Sequence, residues 1–335
     1  MMTTLILGFI FGGILSYAKL NKFNTISGAA RWTDLAVPKA IAVSIGVGIL
    51  FLALEIGMGW AEFHVKPFIL GGIVLGGLLF GVGMAILGYC PGTLFISAGE
   101  GALDAIVGII GGFLGGIVFT AVLPYIGGVL GPDLGKLSLA SVTGGTGLLY
   151  GLLVIIIGVI FIAGAFFLHR QEKTSDMKWL YSGIGLAILN SIVFLIVVSN
   201  RPIGASTTYP YVGDLLAGFT DNTYFEKITK PGTWEFVFLI GALLAGLVFS
   251  LLRKDFKFKM IHSEWEKTRG GSVGGRAMWA FAAGFILIFG ARMAGGCTSG
   301  HIISGGMQVA FSSLVFAVFV FAGLLLTGKV FYKNK

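Results

Sequence analysis

The chain has 335 residues, 56% of them hydrophobic and only 11% charged, where soluble domains carry roughly 25%. So few charges exclude a soluble surface, and apolar runs of span length recurring from end to end exclude a fibrous or disordered chain. The net charge of +8 does not point to nucleic acid, because the basic residues sit at span ends and in connecting loops, where membrane topology puts them.

The first apolar run, 2–18, lacks a basic leader region and a clear cleavage site, so it reads as a retained span. A small polar stretch, NTISGAARW, follows with Asn24, Thr25, Ser27 and Arg31. These side chains can donate hydrogen bonds along a pathway or cap short helices. Arg31 fits either that role or a basic loop on the inner side. Spans over 36–57 and 67–88 lead into the break GYCPGTLFISAGEG, which holds Cys90, Pro91, Gly92 and Thr93. Pro91 cannot continue a helical hydrogen-bond ladder, and glycine permits a tight turn. Further spans cover 102–124, 145–168 and 179–199. The segment RPIGASTTYPYVGDLLAG then carries Ser206, Thr207, Thr208, Tyr209, Pro210 and Tyr211. Next come a span at 234–252, a basic loop to Arg276 and a span at 275–293. Arg292 lies at the end of that span, before the break GGCTSGHIISGG with Gly296, Cys297, Thr298 and His301. A last span covers 308–327. The expected fold is therefore an all-α polytopic membrane protein of about nine transmembrane helices, a single domain over 1–335.

With the N-terminus outside, seventeen of the 23 Lys and Arg fall on the inner side and six on the outer. That asymmetry predicts an outside N-terminus and a cytoplasmic C-terminus. The order of spans and breaks repeats: 1–125 corresponds to 179–330, with the span at 145–168 between them. Corresponding spans are five apart, an odd offset, so the halves run in opposite directions. Broken or re-entrant helices in an inverted-repeat arrangement are the plan of many secondary transporters.

The pair GMAILGYCPGT and ARMAGGCTSGH is the sharpest local signal, each placing a cysteine after a long helix. Broken backbone at membrane depth must be satisfied by protein, water or ligand, and a helix N-terminus aimed at a cavity favours an anion. The alternative for each cysteine is a small packed apolar residue. Arg292 either attracts an anion to the outer mouth or extends toward headgroups. His301 reads either as an interfacial, non-catalytic residue or as a polar wall of the pathway, and with two remote cysteines it lacks zinc-site spacing. No cofactor is expected, since no glycine-rich stretch has the nucleotide-loop pattern. Transport of a small anion is the leading reading, and a membrane redox or sulfur-handling enzyme or a structural protein are the alternatives.

GYCPGT, ARMAGGCTSGH and the placement of RPIGASTTYPY before the last three spans resemble the YeeE/YedE family of bacterial inner-membrane proteins. The resemblance covers almost the whole chain. It implies a monomeric, hourglass-like importer of sulfur-containing anions, thiosulfate above all, with other members linked to selenium or other sulfur compounds. It implies transient thiol contacts to thiosulfate from Cys90 and Cys297, membrane lipid as surroundings, and a cytoplasmic sulfurtransferase-like partner. One departure stands out: Asn24 occupies the approximate position of a further cysteine in thiosulfate-importing relatives.

Overall fold

The computed structural model describes residues 1–172 and 174–332. Lys173, Lys333, Lys335 and the C-terminus, all used in the topology reading, lie outside the described residues. In chain order the helices are α1 (Met2–Tyr17), α2 (Phe23–Ala30), α3 (Ala36–Gly57), α4 (Leu70–Leu87), α5 (Pro91–Gly99), α6 (Leu103–Leu130), α7 (Leu139–Thr143) and α8 (Leu148–Glu172). They continue with α9 (Lys178–Phe194), α10 (Thr208–Ala217), α11 (Thr223–Leu252), α12 (Ser263–Arg269) and α13 (Val273–Met293). A π-helical turn, Thr298–Ile303, precedes α14 (Ser304–Met307) and α15 (Phe311–Phe331). The protein is an all-α, multi-pass membrane protein.

Seven helical stretches among the described residues are long and apolar enough to span, with α4–α5 and α13–α14 each counted as one broken stretch. α1 and α9, at 16 and 17 residues, fall short of the ~20 a hydrocarbon core asks of a straight helix. The span expected at 234–252 begins earlier, at Thr223. Asn222 caps it, its side chain accepting from Phe225 N at 2.8 Å, and Pro231 is accommodated within the helix. The stretch NTISGAA forms α2, a short buried helix.

At the centre α4 and α13 cross, α15 packs on α4, and α6 packs on α13. Outside them α1 packs on α11 and α9 on α3. The contacts recur in matching pairs, the mark of an internal repeat. Two glycines carry the match to atomic detail. A Cβ at Gly290 would stand 2.7 Å from Gly76 O and Phe80 N; one at Gly83 would stand 2.9 Å from Ala283 O and 2.6 Å from Leu287 N. Each helix therefore needs a glycine where the other's backbone approaches.

The loops gather at two faces. On the basic face Lys22 and Arg253 both bind Glu100 (2.7 and 3.2 Å), Arg31 binds Glu264 (2.9 Å), and Lys39 pairs with Glu172. On the opposite face loop 58–69 bridges to Asp133 and Leu195, while Ser138 bridges to Ala310. Arg276 departs from its expected place among the loop charges. It lies one turn inside α13, fully buried.

Candidate functional site

The first break begins where Gly88 ends α4 in a left-handed conformation, φ 77°. Glycine takes that conformation without a Cβ penalty. Cys90 is extended and caps α5, with Pro91 at the first helical position, where a missing N–H costs nothing. Cys90 N donates to Thr93 Oγ1 at 2.8 Å, and Thr93 Oγ1 stands 3.4 Å from Cys90 Sγ. Tyr209 OH donates to Pro91 O at 2.8 Å, so α10 holds this break from the far side. Gly92 faces Phe11 and Ala205 at ordinary contact distance.

The second break repeats the geometry. Gly295 is left-handed, φ 75°, and Cys297 is extended and buried ahead of the π turn. Cys297 Sγ lies 3.3 Å from Ser299 Oγ. His301 is fully buried, its Nδ1 2.9 Å from Ser313 Oγ and its Nε2 2.8 Å from Ala294 O. Facing a carbonyl, Nε2 must carry the proton and donate. The imidazole thus braces the end of α13 against α15.

Both breaks meet at one cavity of about 60 Å³, lined by Cys90 and Thr93 from the first and Thr298 and Ser299 from the second. Phe11, Leu15, Met84 and Leu186 supply apolar wall. The space is far below the roughly 300–1,000 Å³ of pockets for larger ligands, and its accessible lining is apolar. Thr298 Oγ1 is buried without a hydrogen-bond partner among the described residues. A buried orphan hydroxyl is costly and marks a place for a polar guest.

Cationic groups stand at the opposite-face end. Arg292 reaches Ser206 Oγ (3.3 Å), Thr207 Oγ1 (3.1 Å) and Tyr224 OH (2.8 Å). Arg201 lies 3.4 Å from Glu235, whose other oxygen accepts from Thr207 N at 2.7 Å. Lys66 reaches in from loop 58–69 to donate to Gly295 O, beside Gly296 and Gly300. Burial first, and the nearby Arg292 second, push its ammonium down to about 8. Three cations therefore face one carboxylate, a field that favours anions. At the basic face, beneath Cys90, Arg276 donates to Ile86 O, Leu87 O and Asp104 (3.1, 2.7 and 2.5 Å). His262 Nε2 sits 2.9 Å from Tyr89 OH and 3.0 Å from Asp104.

Of the residues expected along the pathway, Cys90, Thr93 and Thr298 line this cavity; Pro91, Gly92, Gly296, Cys297 and His301 belong to the two breaks without lining it, and Ser206, Thr207 and Arg292 cluster at the opposite-face end. The structure does not bring Asn24, Thr25 or Arg31 to either place. Asn24 is exposed, donating to Ser263 Oγ at 2.8 Å, and with Thr25 it lines a cavity of about 400 Å³ at the basic face. Sequence reasoning missed Lys66, Ser299 and the Arg276–Asp104 pair. Among the described residues no group of three or more His, Cys, Asp or Glu is arranged to hold a metal ion.

Residues 23–326 match the profile of a family described as sulphur transport. Over 334 residues the chain is 24% identical to the thiosulfate transporter TsuA of Spirochaeta thermophila, with 96% of each chain covered.

Proposed function

The chain belongs to the sulphur-transport family, a family of transporters and not of enzymes, and on that premise we propose that it imports a small sulfur-containing anion, thiosulfate foremost, through the cavity where its two breaks meet. The observation that carries the reading is the convergence of Cys90 and Thr93 with Thr298 and Ser299 around one small space. The relative named for thiosulfate transport lends the substrate. An anion drawn in by Lys66 and Arg292 would exchange contacts with Cys297 and then Cys90. Thiols and hydroxyls hold such a guest weakly, which suits passage. The N-terminus of α5 adds positive potential beside Cys90. Asn24, at the basic face, would line the exit and would not replace a thiol at the centre.

In this reading nine spans, α1 and α9 included, form two inverted halves joined by α8. The protein would lie in the bacterial inner membrane as a monomer and deliver to a cytoplasmic sulfurtransferase-like acceptor. The test is uptake of labelled thiosulfate, sulfite and sulfate into proteoliposomes. Thiosulfate uptake that unlabelled thiosulfate suppresses and sulfate does not is expected. No uptake of any sulfur anion by correctly inserted protein would end the proposal.

A further inference from the structure

Between α3, α8 and α15 runs an apolar groove of about 330 Å³. It exists because α8 packs on α3 whereas α15 packs on α4, so the two helices leave a wedge between them. Ile41, Ile45, Phe161 and Phe321 form its walls, and its deep end reaches Ile302 and Ser313. A second cavity, of about 490 Å³, adjoins it at the basic face, with Trp32 and Leu325 lining both.

The rim has the chemistry of a headgroup site. Arg31 and Lys329 line it. Lys329 has no carboxylate partner among the described residues, and Arg31 meets one, Glu264, at 2.9 Å. Trp32 is 49% exposed, and its backbone is held at φ 59°, a conformation a bulky side chain rarely takes. The strain keeps an indole where the groove opens, and indoles favour the membrane–water boundary.

We propose that this groove and its rim bind one anionic phospholipid, with a chain in the groove and the phosphate between Arg31 and Lys329. Two cations against one carboxylate favour an anionic over a zwitterionic headgroup. The deep end gives the lipid a consequence. Ile302 belongs to the π turn that follows Cys297, and Ser313 Oγ holds His301 Nδ1 at 2.9 Å. A seated chain therefore supports the second break from behind, by contacts separate from the cavity shared by the two breaks.

The test uses the full-length protein, purified in detergent and stripped of lipid, with phosphatidylglycerol or phosphatidylcholine of identical chains added back. Native mass spectrometry should show one phosphatidylglycerol retained in preference to phosphatidylcholine. Lys329→Gln should weaken that binding about fivefold, the factor matching the ~1 kcal/mol of one cation near a headgroup. Ala317→Trp, which fills the groove, should abolish retention. Should that variant fail to insert, phosphatidylglycerol with a diazirine at a chain end must label peptides that line the groove, within 32–45, 161–168 or 302–325, in the wild-type protein. Glycerol phosphate, which has the phosphate without chains, should not compete. Equal retention of the two lipids, unchanged binding in Lys329→Gln, labelling elsewhere, or displacement by glycerol phosphate would each overturn the proposal.

Discussion

Thr93 and Ser299 each set a hydroxyl against a thiol, 3.4 Å from Cys90 Sγ and 3.3 Å from Cys297 Sγ. A serine in place of either cysteine keeps a donor but loses sulfur's polarizability; alanine loses both. Cys90→Ala and Cys297→Ala should each lower initial uptake about tenfold or more, a barrier change of about 1.4 kcal/mol, with the serine variants only partly restored. Normal rates per inserted molecule in both alanine variants would remove the thiols from the mechanism. Lys66 makes a second prediction, on pH. Its ammonium titrates near 8, so it is charged below that value and neutral above. Arg292, Arg201, Glu235 and Cys297 surround it. The KM for the anion should therefore rise as external pH passes upward through 8. Lys66→Gln should raise KM at every pH and flatten the profile, while Lys66→Arg should keep capture and move the rise to higher pH. A Lys66→Gln profile that still bends near 8 would assign the titration elsewhere. The cysteines were legible because each sits in a glycine-rich motif that recurs. Lys66 was not, because a lysine between two spans looks like any loop charge until the fold turns it inward.

The broken helices owe their geometry to what closes their ends. Leaving α4 with unpaired carbonyls inside a membrane would cost several kcal/mol, and Arg276 closes Ile86 O and Leu87 O while Asp104 balances its charge. At the end of α13 the same task falls to His301 on Ala294 O and Lys66 on Gly295 O. Arg276 and Asp104 are both fully buried, so removing one strands the other. Arg276→Gln should lower stability by about 3–5 kcal/mol, measured as unfolding in detergent against the wild type. A loss below about 1 kcal/mol would mean that water takes over the capping. The glycines and Pro91 announced both breaks, but two of the capping partners, Arg276 in α13 and Lys66 in loop 58–69, lie far away in sequence. The early start of α11 was hidden for a different reason. Glu226, Lys227, Lys230 and Pro231 make its first turns read as loop, and only the cap by Asn222 shows where the helix begins.

Across the whole molecule, contacts come in matched sets: α1 on α11 with α9 on α3, α6 on α13 with α15 on α4, α10 on α6 with α2 on α15. The crossing of α4 on α13 matches itself through Gly83 and Gly290. The two helices also run antiparallel, since Gly72 meets Met293 while Gly83 meets Ala283 and Leu287. The order of spans and breaks in the sequence carried this plan, but it carried no count beyond dispute, because α1 and α9 are too short to be certain spans by length alone. Charge supplies the missing constraint. Lys22, Arg31, Lys39 and Arg253 gather at one face through Glu100, Glu264 and Glu172, and a basic face belongs on the inner side. The nine spans proposed above would then put the N-terminus outside and the C-terminus inside. The prediction is therefore opposite locations for reporters fused to the two ends, and an inside location for one inserted in the loop between α11 and α13. Two ends on one side would reduce the count to an even number. The five-span offset between corresponding helices would then no longer hold, and with it would go the proposed inverted halves and the proposed passage shared by Cys90 and Cys297.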